Sequence, residues 1–393
     1  MKKICLIVSL TAVTVSVKAQ TNTDPIPSTQ TAITTAVPFT LIAADARAAG
    51  MADMGVATSV DAFSQQWNPA KYAFSEYKQG FGITYTPYLN ELVNDIFLGN
   101  ITYYNRINER SAVAGSLRYF SLGEIELRNT ADEIPRIAKP NELLVDVSYS
   151  LRLSERFAMG VAGRYIRSDL KIQEADPDAS AGSSFAVDIA GYYQSEVIPY
   201  SEFDGRWRAG FNLSNLGPKI KYDDLGQENF LPTNLRLGGG FDFILDEYNR
   251  VGVTAEVNKL LVPTPPIRDL NQNSPTYGEV LEGKDDDVNF FSGIFQSFGD
   301  APGGFSEELK EFTWALGAEY VYQDAFALRL GYFNESEDKG NRKFASIGAG
   351  FKYTTINIDV SYLFSTSKVR SPLEGTLRFA LTFNLGEGEY LEY

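Results

Sequence analysis

Chemistry near neutral pH needs a base, a nucleophile or a set of metal ligands, and this chain offers few of them. It has no histidine, which removes Ser-His-Asp and Cys-His catalysis, histidine-ligated zinc and the usual general base. Its single cysteine, Cys5, lies in a segment expected to be cleaved on export, so neither disulfide nor thiol chemistry is expected of the mature chain. Asp285, Asp286 and Asp287 form an acidic run but lack the spaced ligands and the glycine of an EF-hand loop. They read as a solvated acidic patch. Gly238-Gly239-Gly240 sits inside a strand pattern, where glycines mark a bend, a bulge or the close approach of another backbone, not a phosphate loop. No catalytic residue, metal site or cofactor site is assigned, and enzymes are disfavoured.

The residues better suited to function are those that could bind a partner. Between Pro263 and Lys310 runs a segment of 48 residues, far longer than an ordinary loop. Within it Phe290, Phe291, Ile294, Phe295 and Phe298 fall at helical spacing. Such a stripe either packs on its own protein or docks into another. Arg47 and Asp53 stand in a stretch of small residues and glycines that shows no strand period. If buried, each must meet an opposite charge, and a structural latch is favoured over a cargo-binding role.

What positions these residues is a series of about fourteen segments, roughly ten residues long, apolar at every second position. They are 79–88, 96–107, 111–121, 142–153, 157–168, 183–195, 206–216, 233–245, 250–262, 311–323, 325–335, 343–354, 355–366 and 375–386. In the last, Leu377, Phe379, Leu381, Phe383 and Leu385 share one face, and Thr376, Arg378, Ala380, Thr382 and Asn384 the other. Strands of soluble sandwiches are mostly about five or six residues, whereas a tilted strand crossing a bilayer needs about 9–11. The joins alternate between short and long, as periplasmic turns and extracellular loops do in outer-membrane barrels. The expected fold is therefore all-β, a fourteen-stranded antiparallel transmembrane β-barrel over residues 79–386. An aromatic content of 13% suits its interfacial girdles.

If the apolar face meets lipid, the lumen receives Asp146, Arg152, Arg164, Asp188, Arg236, Asp242, Glu256, Glu319, Arg329, Asp359 and Arg378. The two signs nearly balance, which favours a cross-linked, largely filled interior over an ion-selective pore. Lys2 and Lys3, an apolar stretch and Val17-Lys18-Ala19 read as a secretory signal peptide over residues 1–19. Residues 20–78 read as a polar leader to about Pro38 and a plug in the barrel's periplasmic mouth, with a short helix from Asp61 as N-cap through Trp67. Residues 387–393 read as a C-terminal tail. The formal charge is −15 with pI ≈ 4.6, which argues against nucleic acid as partner.

The stretch Ala44-Asp45-Ala46-Arg47-Ala48-Ala49-Gly50-Met51-Ala52-Asp53-Met54-Gly55, followed by Asp61-Ala62-Phe63-Ser64-Gln65-Gln66-Trp67-Asn68-Pro69-Ala70, strongly resembles the PorV family of the Bacteroidetes type IX secretion system. Asp45, Arg47, Gly50, Asp53, Asn68 and Pro69 carry the motif. Asn-Pro-Ala alone is shared with FadL-like fatty acid transporters, and the Asp-Ala-Arg-Ala-Ala-Gly element is the more specific part. The resemblance implies a plugged, FadL-like barrel in the bacterial outer membrane, in contact with membrane lipid. It further implies docking to a SprA/Sov-like translocon and receipt of secreted cargo bearing a C-terminal signal domain. A PorU-like sortase and PorQ/PorZ-like attachment proteins would then take the cargo over. The alternatives are a FadL-type channel for hydrophobic small molecules and, least favoured for want of a base, an acyl hydrolase.

Overall fold

The computed structural model describes residues 25, 27–28, 31–89, 93–128, 132, 134–170, 180–223, 226–367 and 371–388. The signal-peptide assignment, and nearly all of the C-terminal tail, lie outside these residues.

Fourteen long strands, numbered β1 to β14 here, form the wall. They are Tyr77–Pro87, Ile96–Arg106, Ser111–Leu122, Asn141–Ser154, Phe157–Asp169, Gly182–Gln194, Asp204–Leu216, Asn234–Ile244, Asn249–Leu260, Phe312–Tyr322, Phe326–Asn334, Lys343–Tyr353, Ile356–Ser365 and Leu377–Glu387. Each pairs antiparallel with its neighbours, and β1 pairs with β14 through partners such as Tyr85 and Phe379, so the ring is closed. Closure leaves no open edge and satisfies the backbone within the wall, which a bilayer requires. The two-residue strand Ile198–Pro199 adds to β7 outside the ring. It folds the sixth join back as a small hairpin.

The alternation works as expected. Leu377, Phe379 and Leu385 of β14 are exposed on the outer wall, while Arg378, Ala380, Thr382 and Asn384 are buried inside. At the short-turn end, Gln323 and Asp324 take left-handed backbone (φ 53 and φ 50), as tight hairpins demand. One boundary needs correction: strand β14 runs to Glu387, one residue into the expected tail. Arg152 faces inward at the short-turn end, its guanidinium 5.0 Å from the centre of the plug ring of Phe74 while it donates to the Glu155 carbonyl at 2.9 Å.

The segment before β1 fills the barrel from end to end. Phe39 stacks on Phe120 near the long-loop end of β3, and Arg106 at the short-turn end of β2 donates to the Ser75 carbonyl. The expected site at the short-turn mouth is therefore only the lower part of what is filled. The physical reason is an apolar layer in the upper lumen. Leu98, Phe120, Leu144 and Ile166 point inward, and Val37 and Phe39 cover them. The leader consequently enters from the long-loop end. Ser28 donates its amide to the Arg268 carbonyl at 2.9 Å, and Ala36 donates to Phe230 at 2.9 Å. The expected helix from Asp61 shrinks to α2, Ser64–Trp67, because Asp61 Oδ1 accepts from the Phe63 amide and Ser64 Oγ and holds a turn there.

Candidate functional site: a latched plug and an aromatic loop

The plug is held by side chains that the wall strands aim inward. Helix α1, Ala46–Gly50, is capped by Asp45, which accepts from the Ala48 amide at 2.7 Å and from Trp67 Nε1 at 2.8 Å. It thereby joins the two halves of the plug. Arg47 leaves this helix to form a two-bonded pair with Glu319 (3.0 and 2.8 Å) and a bond to Asp61 at 2.8 Å. Glu319 also accepts from Arg329, which reaches Asp359. The result is a chain of alternating charge, Asp61–Arg47–Glu319–Arg329–Asp359, in which each ion is compensated where it is shielded from water.

Asp53 pairs with Arg378 of β14 at 3.2 Å. Asn68 donates to the carbonyls of Val56 and Gly191, both at 2.9 Å, and accepts from the Ala70 amide, so it bolts a plug turn to β6. Pro69 follows as the first residue of the turn Pro69–Phe74, where its missing N–H costs nothing. Gly50 meets Gly348 of β12 so closely that a Cβ on Gly50 would lie 3.0 Å from the Gly348 Cα. Gly238 is likewise overlain by Val56 and Ala57 of the plug. Sequence reading placed Glu256 and Asp146 in the lumen without assigning their plug partners: Glu256 accepts from the amides of Gly55 and Val56, both at 3.0 Å, and Asp146 accepts from the Gln65 side chain. It missed Arg208, which donates to the Ala57 carbonyl. These partners are more than 80 residues away in sequence, and only their inward register marks them.

The plug divides the lumen. At the short-turn end lies a polar cavity of ≈ 360 Å³ bordered by Arg47, Glu319, Lys352 and Asp359. Beneath the leader at the other end lies one of ≈ 500 Å³ with apolar walls from Ile42, Tyr88, Phe333 and Leu363 and charges from Arg236 and Arg342. The two share no lining residue.

In the long loop, Asn289 caps helix α3, Phe290–Gln296, by accepting from the Ser292 amide at 2.9 Å. The aromatic stripe splits in two. Gly293 and Ser297 are buried, with Gly293 pressed on Phe230, while Phe290 and Ile294 are half-buried. Phe291, Phe295 and Phe298 are 61%, 66% and 51% exposed, and the first two rings stand edge to face at 5.3 Å. Phe305 and Leu309, later in the same loop, are exposed as well. Asp285 and Asp286 both pair with Arg268, which holds Asp285 below the usual carboxylate range.

A family model described as type IX secretion system protein PorV matches residues 26–267. That span takes in the plug and strands β1 to β9. No curated protein sequence matches the chain. Among solved structures, the CymD monoaromatic hydrocarbon channel is similar at 12% identity and TM-score 0.50, covering 88% of this chain and 99% of that chain. The Ralstonia pickettii toluene transporter TbuX is similar at 10% identity and TM-score 0.50, covering 88% of this chain and 100% of that one. Likeness at these identities shows a common barrel fold and nothing about cargo. The family match spans more than half of the sequence and the closed barrel has a lipid-facing wall, so this chain is an outer-membrane protein that belongs to the PorV family of type IX secretion system proteins.

Proposed function

We propose that the protein acts in type IX secretion as a docking subunit without catalytic activity of its own. It receives exported proteins carrying a C-terminal signal domain from a SprA/Sov-like translocon. It passes them to a PorU-like sortase with PorQ/PorZ-like attachment proteins. The observation that carries this reading is the ridge of Phe291, Phe295 and Phe298, exposed on a long loop at the extracellular end. Solvent-facing phenylalanines on a capped helix are anchors of the kind that dominate interfaces, and here the buried side of the same helix fixes their direction. The latched plug supports the reading because it fills the lumen between two cavities that share no lining residue.

The test is removal of residues 290–298 in cells. The barrel should reach the outer membrane in normal amount and stay heat-modifiable, since altering a long surface loop costs little. A large barrel and the secreted cargo should no longer co-purify in mild detergent, and secretion should fail. If secretion and co-purification persist, docking lies elsewhere. The channel alternative draws on the apolar cavity beneath the leader. Lipid co-purifying without any protein partner would favour it.

A further inference from the structure

The base of the long loop holds a buried group of charges that docking does not require. Lys259, at the upper end of β9, donates to Glu308 Oε1 at 2.9 Å and to Glu311 Oε2 at 2.6 Å. Lys339, from the loop after β11, pairs with Glu307 at 2.6 Å and Glu311 at 3.1 Å. Thr264 donates its hydroxyl to Glu311 Oε1, and its amide to Asp300 Oδ2 at 3.1 Å. One carboxylate oxygen from each of Asp300, Glu308 and Glu311 lies within 4.8 Å of the others. The three residues are 2%, 6% and 7% exposed. The carboxylates of Asp300, Glu307, Glu308 and Glu311 thus face the two ammonium groups of Lys259 and Lys339. An excess of negative charge away from water is costly unless a cation or protons balance it.

A second observation points to a ligand. Asp300 Oδ1 is buried and, among the described residues, has no hydrogen-bond partner. A carboxylate oxygen that has lost its water and gained nothing is uncommon in folded proteins. Glu308 Oε2 is nearly as bare, with a single contact from the Ala301 amide at 3.4 Å. Among the described residues Glu311 Oε2 accepts from Lys259 alone and keeps a second lone pair. The available donors are hard oxygens on a surface loop, which suit calcium. Magnesium holds its waters more tightly and demands stricter octahedral geometry.

We propose that Asp300, Glu308 and Glu311 form a calcium site that ties the long loop to the end of β9. The site rests on this geometry alone and stands whether or not α3 docks. Burial pushes the Asp300 carboxyl up to about 6, and Glu311 and Glu308 add to the shift against the opposing Thr264 amide and Lys259 ammonium. Protons therefore compete with the ion as pH falls.

The experiment is calorimetric titration of calcium into the purified full-length barrel in detergent, stripped with EGTA, at pH 7.5. We expect saturable binding in the range of extracellular calcium modules, with Kd of about 10⁻⁴ to 10⁻³ M, and weaker binding of magnesium. Asp300→Asn should weaken calcium at least about tenfold while the barrel remains heat-modifiable. Should that variant fail to assemble, Glu308→Gln carries the same expectation. No saturable binding, or equal binding in the variants, overturns the proposal. In the first case Asp300 simply holds a proton, and in the second calcium sits elsewhere.

Discussion

At the scale of single residues, the plug is fastened by a few buried ions as well as by apolar contacts. Arg47 compensates Glu319 and Asp61 together. Replacing it by methionine leaves Asp61 with only the more distant charge of Lys71, and Glu319 with Arg329 as its ion-pair partner among the described residues. Arg47→Met should cost about 3–5 kcal/mol, read as a lower unfolding temperature in heat-modifiability gels. Adding Glu319→Gln should recover part of that loss; a double variant worse than the single would show that the pair is not the latch. Asp300 carries a pH prediction for the metal-free protein. Its carboxyl is raised from 3.8 to about 6, so the folded state holds the proton more tightly than the unfolded one. The stability this contributes is complete below the unfolded value and is lost as pH rises through about 6. In EGTA, proteolysis of the long loop should be slower at pH 5 than at pH 7.5, and Asp300→Asn should flatten the difference.

At the scale of elements, strand faces and plug clearance are separable. Phe379 points to lipid from β14, and arginine there should impair assembly by about 2–4 kcal/mol near the midplane. Thr382, on the inner face of the same strand, borders the polar cavity with Glu319 and Asp359. Thr382→Arg should therefore be milder in a folding titration, and equal penalties would mean the faces are exchanged. Gly210 of β7 faces the plug so closely that a Cβ would sit 2.2 Å from the Val56 carbonyl oxygen. Gly210→Ala should cost about 1–3 kcal/mol and open residues 39–75 to protease within an intact barrel. Undiminished protection would show that the plug can shift to make room.

At the scale of the whole molecule, the wall and the filling make different statements about transport. The two cavities are separated by Met51–Ala57, packed on wall residues such as Gly331 and Glu256. The purified protein should be electrically silent in a planar bilayer. It should stay silent after deletion of residues 27–37, which uncovers only the upper cavity. Steady conductance in the intact protein would contradict a sealed lumen. Silence in both measurements would leave the loops at the long-loop end, with the α3 ridge proposed for docking, as the surface available for work.

The fourteen-stranded wall was legible in the chain itself. A strand exposes alternate residues to two environments, and here those environments are lipid and a polar lumen, so period and polarity coincide at Leu377 to Leu385. The plug motif and the stripe on α3 were legible for the same local reason, as composition without strand period and as apolar residues at helical spacing. What sequence could not assign was anything set by contacts between distant strands. The inward-facing Leu98, Phe120, Leu144 and Ile166 break the rule of a polar lumen, because the leader covers them. That layer draws the leader to the extracellular end, where the expected reading had a plug in the periplasmic mouth. Lys259, Asp300, Glu308 and Glu311 are ordinary charges in sequence, and only closure of the loop over the barrel rim turns them into one buried group. Local periodicity determined which face of each strand meets lipid, and tertiary packing decided which of the inward residues meet one another.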